Sequence, residues 1–200
     1  MSGLPGAIAR QEITLGLLAG GRATRLGGRD KAWMTRDGVP QVVRLARCFG
    51  PAVSAVLVSA NRELPRYARA GLDAVLDRVT GAGPLGGLEA LAQACTTPWL
   101  FTAPVDLVEA DPALLEGLLR GAAGDGACAR DEDGPQPLLA LWRTAALRDA
   151  VAPALDEGRL AVQALQQRLD MGAVHFEGLR LGNLNTPAAL RAAGMETDPA

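Results

Sequence analysis

The chain has 200 residues, 48% hydrophobic and 21% charged, with 20 Lys and Arg against 22 Asp and Glu for a formal charge of −2. That length and apolar content suit one compact α/β domain, or a domain with a small lobe, and the balanced charge gives no electrostatic reason to expect a nucleic-acid partner. Its three cysteines, Cys48, Cys95 and Cys128, are far apart and sit in no CxxC or Cys/His cluster, which argues against a disulfide framework or a zinc site.

Residues 1–12 lack the apolar core of a signal peptide, and no stretch approaches the ~20 apolar residues of a membrane span, so a cytoplasmic protein with no membrane partner is expected. The apolar run Ile13–Leu18 predicts a buried strand. It breaks into LLAGGRATRLGGRDK, from Leu17 to Lys31, where two glycine pairs bracket Arg22 and Arg25. Glycines let successive backbone N–H groups close around an anion, and arginine and lysine add donors that fit phosphate oxygens. This loop therefore reads as a polyphosphate cradle. Its spacing is neither that of a P-loop nor that of GxGxxG.

Further along, Asp37-Gly38 marks a turn, and Gln41–Phe49 carries apolar residues at helical spacing. Residues 52–59 predict a strand ending at Asn61, 63–69 a short helix, and 74–76 a strand ending at Asp77. GAGPLGG, from Gly81 to Gly87, reads as a glycine-rich connection into a helix over 88–95. Residues 98–103 predict an apolar strand with Asp106 just beyond, and Asp111-Pro112 opens a helix over Ala113–Arg120. Alternating strands and helices predict a parallel sheet covered on both faces, with ligands gathered beyond the carboxyl ends of the strands. On that reading Gly20, Asn61, Asp77 and Asp106 share one edge.

The second half is less regular. Strands are expected at 126–130 and 137–142 around a turn at 131–134, and helices at 144–155 and 160–169. Short strands at 174–176 and 181–184 precede a last helix at 187–193 and a frayed tail from Met195. The sole histidine, His175, reads as a strand residue, which removes Ser/His/Asp hydrolysis from consideration.

The loop resembles the signature of the molybdenum cofactor guanylyltransferases, LAGG–x–x–x–R–x–GG–x–DK, through Leu18, Ala19, Gly20, Gly21, Arg25, Gly27, Gly28, Asp30 and Lys31. Sugar-phosphate nucleotidyltransferases share LAGG but carry longer loops, and cytidylyltransferases acting on the same cofactor have LAAG. The segment from Gly83 to Gly87 is similar to the family's GPL–x–G, and Asn183-Leu184-Asn185-Thr186-Pro187 to its N–x–N–T–P.

The resemblance implies a three-layer Rossmann-like nucleotidyltransferase fold, with a mainly parallel twisted sheet and helices on both faces. It implies transfer of GMP from GTP to molybdopterin with Mg²⁺, and partners that deliver the cofactor or accept it. It assigns Leu18, Ala19, Gly20, Gly21, Lys31, Asn61, Asp77, Gly83 and Asp106 to GTP. Arg25, Lys31 and Asp106 become the catalytic groups, Asp106 the metal ligand, and Asn183 and Asn185 the pterin side. Asp30 reads as a structural partner of the loop, and Arg159 either as a contact for the pterin phosphate or as an ordinary exposed arginine.

Taken without the resemblance, Asp106 reads equally as a turn or capping aspartate, and Asn61 and Asp77 as strand-to-turn residues. Val105 and Leu107-Val108 stand where the family has cysteine and Thr-Pro, and Gln136-Pro137 where it has His-Pro. Another base or acceptor, or nucleotide binding without chemistry, are the competing functions.

Overall fold

Strand β1 (Ile13–Leu18) is buried at all six positions, because helices cover both of its faces. The computed structural model describes residues 8–20, 30–79, 81–182, 184 and 187–196. After β1 come β2 (Thr35–Arg36), β3 (Val39–Pro40), α1 (Gln41–Phe49), β4 (Ala55–Ser59), α2 (Leu64–Arg69), β5 (Asp73–Val75) and α3 (Pro84–Ala94). Then follow β6 (Trp99–Pro104), α4 (Ala113–Arg120), β7 (Gly126–Asp131), β8 (Gly134–Arg143), α5 (Thr144–Asp156), α6 (Val162–Arg168), β9 (Gly172–His175) and α7 (Pro187–Ala192).

The described residues form a seven-stranded sheet in the order β5-β4-β1-β6-β8-β7-β9. Strands β5, β4, β1 and β6 pair in parallel, β8 is antiparallel to both neighbours, and β9 is parallel to β7. On one face Ile13, Leu15 and Leu17 pack in a core with Val42, Leu45 and Phe49 of α1 and Leu114 and Leu118 of α4. On the other, Leu18 joins Leu85, Leu88 and Leu91 of α3, Val151 of α5 and Leu165 of α6. Each such side chain contributes roughly 1.5–3 kcal/mol by leaving water. The expected mainly parallel, three-layer architecture is what the chain adopts.

Several boundaries depart from the sequence expectations. The strand expected from residue 52 begins at Ala55, because Gly50–Ala52, with Pro51, forms a 3₁₀ turn first. The helix expected from residue 88 begins at Pro84, so Gly86 and Gly87 are helical rather than loop residues. The strand expected at 181–184 is not among the described strands; Leu181 and Leu184 instead bond to the loop after β6. Glu196, in the tail expected to fray, exchanges two backbone hydrogen bonds with Thr35, at 2.7 and 3.0 Å. Between β2 and β3, Asp37 and Gly38 both take positive φ (53° and 73°), the two-residue hairpin that Asp-Gly favours. No helix among the described residues is long and apolar enough to cross a membrane.

Candidate functional site

Four parallel strands end at one edge of the sheet, and two residues past each end stands a residue singled out from the sequence. Gly20 follows β1, Asn61 β4, Asp77 β5 and Asp106 β6. Their common position follows from the topology, since right-handed crossovers return every parallel strand to the same edge. At that edge the Leu18 carbonyl accepts from Val105 N–H (3.1 Å) and the Ser59 carbonyl from Ala19 N–H (2.9 Å). The gap between β1 and its two neighbours is thereby closed by backbone bonds.

Lys31 Nζ donates to Asp106 Oδ2 at 3.1 Å, in a pair whose side chains are 17% and 24% exposed. Lys31 opens a 3₁₀ turn that Asp30 caps, with Asp30 Oδ1 accepting from Ala32 N–H at 2.9 Å. Asp30 is thus the structural partner expected of it. Burial pushes its carboxyl above the ordinary carboxylate range, against the opposing pull of that amide. Behind the turn, Trp33 packs at a tilt against Tyr67 with centroids 4.8 Å apart, and the Arg66 guanidinium covers the Trp33 ring at 4.2 Å.

The loop that begins at Asp106 is held from two sides, mostly by residues that no motif reveals. Gln41, fully buried at the start of α1, donates from Nε2 to the Leu107 carbonyl at 2.7 Å. Arg44 donates to the Val108 carbonyl at 2.8 Å and, through Nε, to Gln41 Oε1 at 2.9 Å. On the opposite side the Leu181 carbonyl accepts from Val108 and Glu109 N–H, and Leu184 N–H donates to the Asp106 carbonyl, all at 3.2 Å. Leu181 is itself fixed by Asp131, whose buried carboxylate accepts from Leu181 N–H (2.9 Å), Asp133 N–H (3.0 Å) and Gln136 Nε2 (3.1 Å). Gln41 was legible only as a polar residue on an otherwise apolar helix face, and Asp131 only as a turn aspartate.

Asn61 and Asp77 face each other. Asn61 Nδ2 donates to Asp77 Oδ2 at 2.7 Å, and Asp77 N–H donates back to Asn61 Oδ1 at 3.1 Å. Ser59, unremarked in the sequence, donates from Oγ to Asp77 Oδ1 at 2.9 Å. Gly83 precedes α3 at φ 61°, ψ −147°, a backbone region open mainly to glycine, and directs the helix N-terminus toward this edge.

Gly21, Arg22, Arg25, Asn183 and Asn185 lie outside the described residues. Leu184, between the two asparagines, is fully buried against the Asp106 loop. Arg159 stands on the exposed turn after α5, paired with Glu157 at 2.7 Å. His175 lies on the edge strand β9, 3.8 Å from Glu132.

The described residues contain no group of three or more His, Cys, Asp or Glu able to cage a metal. A carboxylate at a strand end still fits magnesium, which takes one or two carboxylates and fills its shell with substrate phosphates and water. Asp106 would be the ligand of such an ion.

The model of the MobA-like NTP transferase domain matches residues 16–171. The molybdenum cofactor guanylyltransferase of Cupriavidus necator is 34% identical over 194 residues, covering 92% of this chain and 97% of that protein. The molybdenum cofactor guanylyltransferase of Ralstonia nicotianae is 35% identical over 198 residues, with 92% and 97% covered. Molybdopterin-guanine dinucleotide biosynthesis protein A from Archaeoglobus fulgidus is similar in structure, with a TM-score of 0.69 at 21% identity over 90% of this chain and 96% of that one. The 2-C-methyl-D-erythritol 4-phosphate cytidylyltransferase of Thermus thermophilus has a TM-score of 0.64 at 19% identity, with 90% and 96% covered. At such identities these two structures speak to the fold alone, which is Rossmann-like.

Proposed function

This chain belongs to the family of MobA-like NTP transferase domains, and on that premise we propose that it transfers GMP from GTP to molybdopterin, releasing pyrophosphate. The observation that carries the reading is the Lys31–Asp106 pair, which brings the end of the signature loop against the strand-end carboxylate. Full-length relatives called molybdenum cofactor guanylyltransferase support guanine and this acceptor over the alternatives.

In the proposed reaction a phosphate oxygen of molybdopterin attacks the α-phosphorus of GTP in line. The new P–O bond forms as the bond to the bridging α,β-oxygen breaks, and that oxygen leaves with its electron pair on pyrophosphate. The attacking phosphate is already an anion, so no protein base or nucleophile is required, and catalysis consists of positioning and charge stabilisation. Lys31 places an ammonium at the phosphates, and Arg25 would clamp the β- and γ-phosphates of the departing group. Backbone at Leu18, Ala19, Gly20 and Gly21 cradles the nucleotide, and the α3 N-terminus after Gly83 adds amide donors. Asp77 and Asn61 offer acceptors and donors to the guanosine, and a carboxylate suits the N1–H and N2 donors of guanine. Mg²⁺ held by Asp106 would neutralise triphosphate charge. Asn183 and Asn185 border the pterin side, where delivering or accepting proteins would dock. GTP as substrate goes with a cytoplasmic location.

Pyrophosphate release measured with GTP, CTP and ATP, each with and without molybdopterin, tests the reading. Release is expected only with GTP and molybdopterin together. A preference for CTP, indifference to molybdopterin, or GTP binding without any release would each defeat it.

A further inference from the structure

We propose that Ser59 is the positioning residue for Asp77, presetting that carboxylate for the nucleotide. The inference rests on the reading of Asp77 as a nucleotide ligand.

Ser59 is the last residue of β4, and its side chain has no access to solvent. A hydroxyl in that place ordinarily satisfies itself on a backbone carbonyl. Here its hydroxyl donates to a side chain on the neighbouring strand's loop, Asp77 Oδ1, at 2.9 Å. Asn61 Nδ2 donates to the other oxygen at 2.7 Å, so each oxygen of the carboxylate takes one donor from the end of β4. Two donors on two oxygens fix the side-chain torsions of Asp77. An ionised carboxylate offers about four acceptor positions, so positions remain on both oxygens for donors of a nucleotide. Asn61 is exposed and can meet the ligand itself, whereas Ser59 is buried and its hydroxyl donates to Asp77.

The surrounding packing is shaped around this hydroxyl. A Cβ on Gly87 of α3 would come within 2.6 Å of Ser59 Oγ and 2.8 Å of Leu18 Cδ2. A Cβ on Gly86 would stand 3.1 Å from the Val79 carbonyl and 3.3 Å from Asp77 Oδ2. These two glycines, read from the sequence as loop, are the places where the helix approaches Ser59 and Asp77 most closely. The Ser59 carbonyl meanwhile accepts from Ala19 N–H at 2.9 Å, one residue before Gly20. Ser59 thus joins the start of the phosphate loop to the carboxylate that faces the nucleoside. Presetting a ligand-binding side chain removes the ordering cost that binding would otherwise incur.

The deciding experiment is a double-mutant cycle on the whole chain with Ser59→Ala, Asp77→Ala and the pair, reading the Kd for GTP by calorimetry and KM and kcat by pyrophosphate release. Ser59→Ala is expected to weaken GTP about tenfold, equivalent to about 1.4 kcal/mol, acting on KM far more than on kcat. In the Asp77→Ala background the same change is expected to have no further effect, because its route to the ligand is gone. Additive losses, or a fall in kcat and melting temperature with Kd unmoved, would overturn the inference while leaving the Asp77 reading intact. Asp77→Ala with wild-type affinity would overturn both. If Ser59→Ala lowers the melting temperature severely, Ser59→Cys takes its place, and a weak thiol donor should give an intermediate Kd; a wild-type Kd would contradict the proposal.

Discussion

The two halves of the sheet do different work by different means. In β5-β4-β1-β6 every strand is parallel and every strand-end loop opens on one edge, so topology alone gathers Gly20, Asn61, Asp77 and Asp106. In β8-β7-β9 an antiparallel hairpin interrupts the pattern, and none of the singled-out nucleotide residues lies there. That half contributes through a relay of hydrogen bonds instead. Asp131 holds Leu181, the Leu181 carbonyl holds Val108 and Glu109, and Leu184 holds the Asp106 carbonyl. A parallel array thus gathers its strand-end residues directly, while the hairpin half supports one of them from behind.

The sharpest way to break this division is to remove the charges where the parallel strands converge. Lys31→Ala and Asp106→Ala should each lower the rate of pyrophosphate release by about 10²–10³, the usual loss for one preorganised electrostatic group. Circular dichroism should show both variants folded. Turnover within a fewfold of the parent in either would remove that residue from the reaction.

Next in size is the relay itself. Asp131→Ala strands the buried Leu181 N–H and should cost about 3 kcal/mol in urea denaturation, since bonds to a charged acceptor are the stronger kind. Burial alone would raise the Asp131 carboxyl, but donors from Gln136, Leu181, Asp133 and Gly134 outweigh it and hold it below the ordinary value of 3.8. A depressed folded value means that this stability is fully present above about pH 4 and is lost as the pH falls through the folded value. The parent should therefore destabilise more steeply in acid than Asp131→Ala, and parallel profiles would contradict the assignment. Gln41→Ala, which removes the 2.7 Å bond to the Leu107 carbonyl and leaves it the 3.3 Å bond from Arg44, should cost about 1 kcal/mol and slow turnover less than Lys31→Ala does. His175→Ala marks the lower end: an exposed pair on the edge strand, it should leave both stability and turnover within about twofold of the parent.

The parallel half was also the more legible in sequence. The limits of β1 and α1 follow from a mainly apolar run and a clear helical spacing. The strand ends at Asn61, Asp77 and Asp106 were visible because an apolar strand stops at a polar residue. The start of α3 was not, because Gly86 and Gly87 carry the composition of a loop while serving as contact points of a helix. Ser59 was hidden for a related reason: its partner is Asp77, on the neighbouring strand, and only the order β5-β4-β1 brings them together. Leu181 and Leu184 resemble a strand in composition, yet their backbone bonds run to the loop at 106–109 rather than to a ladder. Pairing across long sequence separations, which pattern alone does not encode, accounts for these differences.

The most direct test of the whole account is a crystal structure of the chain with GTP and magnesium. It should show the triphosphate between the backbone after β1 and the Lys31 ammonium, with the metal on Asp106 and the guanosine beside Asp77. Triphosphate density anywhere else, with the Lys31–Asp106 pair unchanged, would contradict it.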